Sequence, residues 1–252
     1  MKYEQFESFL QEDLGWRKKE ISDLYMICLS NKNEVLLKSI ILILYAHWEG
    51  YIKKSSKLYI KYVVEKKVKI EDLTPNFKAI ALKSNISKCI ENYDKLTLAH
   101  ELDFMNKYES MGNKKFKISI DIDDDLESDI INTNHNLKPK VFKNIINILG
   151  LKYNDAYEIR EMYISKNLLS NRNIIGHGSK FNLENQVDFE LTINDIDKLK
   201  SIIINILDFH KDTLLDYVEN EFYLSKNLEE KENYDKEKDL LLHKKLDEIE
   251  SK

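Results

Sequence analysis

Between residues 34 and 67 the chain carries an apolar pattern that few folds accommodate. Leu37, Ile40, Ile41, Leu44, Tyr45, Trp48, Tyr51, Ile52 and Tyr59 recur at i, i+3 and i+4 spacing, the period of an α-helix. The first half is apolar nearly all round. Such a helix has no face to offer to water and must be enclosed by others. Its longest uninterrupted apolar run, Ile40 to Ala46, is much too short to cross a bilayer. The centre of a helical bundle is what remains. Composition agrees: six glycines and two prolines in 252 residues are too few for the turns of an all-β sandwich. With 42% hydrophobic residues, the chain has enough apolar content to exclude disorder.

The flanking segments supply partners for that helix. Residues 3 to 30 read as an amphipathic helix that Gly15 is expected to interrupt. Helices are also expected from about Phe77 to Tyr93, Leu98 to Met111, 138 to 151, and 154 to 177. Pro139 suits a first turn and Gly150 a helix end. A final core helix, with Asn194 as its cap, should run to about Tyr223. Two stretches change period. Phe116, Ile118, Ile120 and Ile122 alternate with polar residues, as do Val187, Phe189, Leu191 and Ile193, and a period of two predicts strands. The expected organisation is a mainly α, antiparallel helical bundle over 1–223, with a small β-containing insertion around 113–135. Residues 224–252 should form a charged, mostly solvated helical tail with a short apolar stripe at Leu240-Leu241-Leu242, Leu246 and Ile249.

Charge and cysteine usage narrow the chemistry. The net charge of −5 gives no global basic field, so a nucleic-acid partner would need a local patch. Lys53, Lys54, Lys57 and Lys61 form one candidate strip, and Lys114, Lys115 and Lys117 another. Cys28 and Cys89 are too few for a disulfide framework or a zinc site. The acidic run Asp121 to Asp125 lacks the glycine that a calcium loop uses for its sharp turn, so a solvated loop is expected. His100, His135, His210 and His243 have no neighbours at metal-ligand spacing, and no cofactor motif is present. His47, beside Trp48, reads as a core histidine. The acidic, mixed N-terminus is unlike a signal peptide, and a reducing cytoplasmic setting is expected.

Against this background one segment stands out: Asn171-Arg172-Asn173-Ile174-Ile175-Gly176-His177-Gly178. The chain has 36 lysines and only three arginines, Arg17, Arg160 and Arg172. One of the three sits here beside an asparagine and a histidine. On a helix Asn173 and His177 share a face, and Gly178 suits the position just past a helix end. A helix C-terminus favours protonated imidazole, while the Arg172 guanidinium opposes it, a balance that suits His177 to general acid–base work. Arg172, with its planar fork, suits a phosphate oxygen. The pair has the parts for metal-independent RNA cleavage: His177 to deprotonate a ribose 2′-hydroxyl and Arg172 to stabilise the crowded phosphorane. Spacing alone is a weak signal, since Arg and His near a helix end also simply cap carbonyls.

The wider pattern strengthens it. The Arg172 to His177 spacing resembles the HEPN superfamily of prokaryotic helical ribonucleases, marked by Arg, four to six residues, then His. A stand-alone HEPN group is matched more closely, in three ordered blocks: Leu44-Tyr45-Ala46-His47-Trp48-Glu49-Gly50, Asn136-Leu137 through Val141-Phe142 to Leu149-Gly150-Leu151, and Arg172 to Gly178. The resemblance implies a homodimer whose two Arg/His motifs form one composite site, with one histidine as base and the other as acid. It also implies a toxin or antiphage effector that cuts tRNA or other cellular RNA, with an antitoxin or defence-system partner protein. Arg172 and His177 are then the expected catalytic residues. Asn173 is expected in support. So is Glu49, a carboxylate in an apolar segment that needs a partner, in contact with Arg172 or positioning Asn173 or His177. Two departures stand: Ser179 and Lys180 follow where the group carries an acidic residue, and Ser179 takes the place of a tyrosine that another branch uses for modification. A non-catalytic RNA-binding module and a partner-activated effector docking through the tail are the alternatives.

Overall fold

The computed structural model describes residues 1–31, 33–91, 97–122, 130–176 and 191–251. Among them the regular structure is helical: α1 (Tyr3–Ser30), α2 (Glu34–Glu65), α3 (Pro75–Glu91), α4 (Ala99–Met111), α5 (Pro139–Leu149), α6 (Asp155–Ile164), α7 (Asn171–Gly176), α8 (Ile193–Glu219) and α9 (Leu228–Glu250). The expected bundle is present. α2 begins at Asn33, whose side chain accepts the Val35 amide at 2.8 Å, and it is packed against α1, α5, α7 and α8. By length and composition it is apolar enough to cross a membrane. Here Ile40, Ile41, Leu44, Tyr51 and Ile52 are fully buried in the bundle, while Val35 at its start is exposed.

α1 runs through Gly15 without a break. Nothing lies near that glycine's missing side chain, so it weakens the helix without bending it. The glycine expected to end α5 does so: Gly150 has φ +73°, a left-handed cap that only a residue without Cβ adopts freely. A Cβ there would also meet Asn76 Oδ1 at 2.7 Å. The cap of α8 is Thr192, two residues before the expected Asn194. Thr192 Oγ1 accepts the Asp195 amide and Asp195 Oδ2 accepts the Thr192 amide, a reciprocal capping box.

The strand expected over Phe116 to Ile122 does not form. Phe116 is buried and exposure alternates through Ile122, so the period-two reading of the side chains was sound. After the Phe116 amide bonds Val68 O at 2.8 Å, however, the segment packs one face on the bundle core. A one-sided extended segment and a strand have the same period. The β structure among the described residues is two isolated antiparallel bridges, Lys69 with Lys115 and Leu73 with Leu224. Of the second strand expectation, 187–190 lie outside the described residues and Ile193 already belongs to α8.

α9 lies along α6 and α8. Its buried stripe is Asp235, Asp239, Leu242 and Leu246, while Leu240 and Leu241 face solvent. The tail is held by charge as much as by its leucines. Arg160 of α6, 2% exposed, donates to Asp247 at 2.6 Å and to Glu250 at 2.7 Å. Lys152 Nζ bonds Asp239 at 2.8 Å, and the carboxylate of Asp239 lies at the α6 N-terminus, facing the amides of Asp155 and Ala156. A carboxylate there offsets amides left without helical partners.

Candidate active site

The helix expected over 154 to 177 is one rod with an irregular middle. α6 passes through a π-helical stretch, Ser165–Ser170, into α7. The wide turns free carbonyls that side chains recover: Ser170 Oγ bonds Ser165 O at 3.0 Å, and Asn171 Nδ2 bonds Asn167 O at 2.9 Å. A π insertion also changes phase. In an ideal α-helix Arg172 would sit about 80° from the line of buried Ile164; one inserted residue brings it to within about 20°. The insertion therefore turns Arg172 toward α2.

What it meets there is Tyr45. The Arg172 guanidinium lies 4.5 Å over the Tyr45 ring, a cation–π contact. Its Nη1 donates to Asn173 Oδ1 at 2.8 Å and its Nη2 to His135 O at 3.4 Å. Tyr45 is itself clamped. Its hydroxyl accepts the Leu137 amide at 2.9 Å and faces the carboxylate of Glu49, one turn along α2. Burial pushes the Tyr45 phenol up to about 12; the Leu137 amide and the Arg172 charge pull down while Glu49 adds to the rise. Trp48 packs against Phe142 with the rings tilted by 59° and their centroids 5.0 Å apart. The three blocks that carried the resemblance thus converge on one tyrosine: Tyr45, Trp48 and Glu49 from the first, Leu137 and Phe142 from the second, Arg172 and Asn173 from the third.

The three arginines have separate fates. Arg17 is buried on Asp13 at 2.8 Å, with His47 Nδ1 at 3.4 Å, and Arg160 is enclosed by Asp247 and Glu250. Arg172 meets no carboxylate within ion-pair distance among the described residues. A guanidinium has five N–H donors in a fixed fork. With an amide oxygen, a carbonyl and a π face as its partners, Arg172 keeps both its charge and part of its fork for an anion.

The other expected site residues are distributed as follows. Asn173 holds Arg172 directly. Glu49 makes no ion pair with Arg172 within 4 Å; the two are joined through Tyr45. One Glu49 oxygen, Oε1, and Asn136 Oδ1 are buried without hydrogen-bond partners among the described residues. His177 and Gly178 lie outside the described residues, as do Asp123 to Asp125 of the acidic run. His47 is structural: buried, 2.6 Å from Glu20, and with its pKa lowered first by burial, against the pull of Glu20. Gly50 of the same block lets Arg17 approach, since a Cβ there would stand 2.7 Å from Arg17 Nη1. The strip from Lys53 to Lys61 is no open cationic patch: Lys57 is fully buried and Lys54 pairs with Asp13 at 3.3 Å. Among the described residues no three histidine, cysteine or carboxylate groups gather as a metal ion would require.

Sequence reasoning passed over Tyr45 and the π segment. Tyr45 had a signal, its i, i+4 relation to Glu49 inside the first block. The π segment had only the polar run Ser165, Asn167, Ser170 and Asn171.

The sequence profile of the HEPN_MAE_28990-like HEPN family matches residues 6–223. No curated protein and no solved structure matches the chain.

Proposed function

The chain belongs to the HEPN_MAE_28990-like HEPN family, and from that premise we propose that it is a metal-independent endoribonuclease working through Arg172 and His177. The observation that carries the reading is the state of Arg172. It is oriented on Tyr45 and Asn173 and left without a carboxylate among the described residues, the condition in which a guanidinium serves a phosphate. His177, just past α7, takes the proton of a ribose 2′-hydroxyl. The 2′-oxygen attacks the adjacent phosphorus, and Arg172 stabilises the charge that builds on the phosphorane. The bond to the 5′-oxygen breaks, and that oxygen takes a proton from the second histidine of a homodimer. The products are a 2′,3′-cyclic phosphate and a 5′-hydroxyl.

Pairing of two copies is part of the proposal, because one histidine cannot be base and acid in the same step. Ile159 and Met162, 67% and 85% exposed on the rod that carries Arg172, are apolar groups that a second copy would cover. The biological setting we infer is a cytoplasmic toxin or antiphage effector acting on tRNA or other cellular RNA, with an antitoxin or defence-system partner. The exposed Leu240 and Leu241 of α9 favour a second reading, an effector activated by a partner that docks on the tail.

The test is cleavage of tRNA and total cellular RNA in EDTA by the wild type, Arg172→Ala and His177→Ala, with the ends analysed chemically. Cleavage by the wild type alone, leaving cyclic phosphates, is expected. Equal activity in all three proteins would overturn the site.

A further inference from the structure

The chain is acidic in total, yet six exposed lysines gather where α2 ends. The residues after α2 run antiparallel to those after α4. The Ile70 amide bonds Lys114 O at 2.9 Å and the Phe116 amide bonds Val68 O at 2.8 Å. That pattern makes Lys69 and Lys115 a non-hydrogen-bonded antiparallel pair, the closest cross-strand position, with Cα atoms about 4.5 Å apart. Val68 and Phe116 turn inward, and Phe116 is buried against Phe77. Alternation then puts Lys69, Lys115 and Lys117 on the outer face, all exposed, with exposed Lys66, Lys67 and Lys114 alongside.

Two features here work against folding. Like charges directly opposed across a ribbon are destabilising. Lys67 has φ +54°, the left-handed region where glycine or asparagine is usual after a helix. Lys69 is relieved by Glu71 and Asn113, each at 3.0 Å. Lys67, Lys115 and Lys117 meet no carboxylate among the described residues. Neither feature contributes to the core. The opposed charges are relieved when a polyanion lies on the outer face.

We propose that this lysine ribbon binds the phosphodiester backbone of RNA, as a second contact remote from Arg172. Lysines two apart on an extended segment are about 6.6 Å apart, a step suited to successive phosphates of one strand. Beside the lysines the outer face carries Glu71 and Asn113, bonded to Lys69, and none of the Trp, Phe or Leu that a membrane-binding surface inserts. α2 joins the two contacts: Tyr45, under Arg172, and Lys66 are 21 positions apart in the sequence, about 30 Å along a helix. An RNA of tRNA size spans that distance and a tetranucleotide does not.

The inference rests on the RNA reading of the Arg172 site, but binding tests it without cleavage. Fluorescein-labelled tRNA would be titrated onto the full chain carrying His177→Ala, with and without Lys67→Gln, Lys115→Gln and Lys117→Gln together. A control triple would be Lys236→Gln, Lys244→Gln and Lys245→Gln on exposed positions of α9. The ribbon triple should weaken binding about tenfold and lower the slope of log affinity against log salt by about 2, since each phosphate contact contributes roughly 0.7 to 0.9. The control triple should do neither, and the ribbon triple should melt no lower than its parent. With His177 intact, the ribbon triple should lower kcat/KM on tRNA and leave cleavage of a tetranucleotide unchanged. Unchanged tRNA binding, or an equal loss in both triples, would overturn the ribbon. So would retained tRNA binding with lost binding to phosphatidylserine vesicles. Ribbon-dependent binding by a wild type that cuts no RNA would sustain the ribbon and sink the nuclease.

Discussion

Replacing Tyr45 separates the two tasks its side chain performs. Tyr45→Phe keeps the ring under Arg172 and removes the hydroxyl. The Leu137 amide then loses its acceptor at 2.9 Å in a position where Tyr45 is 3% exposed and water does not replace it. An unsatisfied buried donor costs about 1–3 kcal/mol. For a chain of this length each kcal/mol lowers Tm by roughly 2–4 °C, so a fall of about 2–12 °C is expected. Tyr45→Leu also removes the cation–π contact, worth about 0.5–2 kcal/mol, and leaves Arg172 without its platform. Calorimetry measures the first effect, and amide hydrogen exchange at Leu137 localises it. Turnover measures the second: Tyr45→Phe should keep most of the RNA cleavage and Tyr45→Leu should lose it, with both proteins folded. A Tyr45→Phe protein that melts with the wild type and still protects the Leu137 amide would refute the clamp. Equal turnover in the phenylalanine and leucine variants would refute the platform.

Other outcomes follow from the same geometry. Gly50→Ala should destabilise the fold by about 1–3 kcal/mol, because the new Cβ displaces Arg17 from its buried pair; Gly15→Ala, with open space around it, should stabilise by about 0.5–1 kcal/mol, and a denaturant midpoint that moves against its expected direction would contradict the account of that glycine. Burial lowers the His210 pKa from 6.5 to about 3, so its contribution is fully present above pH 6.5 and fades as pH falls toward 3, by about 1.4 kcal/mol per pH unit. Wild type should therefore lose stability on acidification faster than His210→Leu, and parallel melting curves between pH 6.5 and 4 would show that the imidazole is not responsible. Arg160→Met should loosen α9 at a cost of about 1–2 kcal/mol, since it removes charge-assisted bonds to Asp247 and Glu250, whose carboxylates still reach solvent, and exchange in α9 no faster than in the wild type would speak against that strap.

The helical class, the central place of the 34–65 helix, the end of α5 at Gly150 and the unusual Arg172 were legible in the residues themselves. Each depends on a local property: a period of 3.6, a backbone that needs a missing Cβ, a rare residue in company that suits it. Family membership was legible because the three blocks are local strings. What those blocks do together was not. Tyr45, Leu137 and Arg172 meet only when α2, α7 and the segment leading into α5 pack together. The same packing decided that Arg160 is taken by carboxylates of the tail while Arg172 is not, although the sequence treats the two alike. Position 118 to 122 shows the limit in reverse: alternation reports which side of an extended segment is buried and is silent on whether a second strand lies beside it. The facing of Lys69 and Lys115 likewise joins residues far apart in the chain. Periodicity and composition encode how each segment divides its surface between core and water; pairing between distant segments is decided by the packing that covers those surfaces, and the chemistry of Arg172 depends on the pairing.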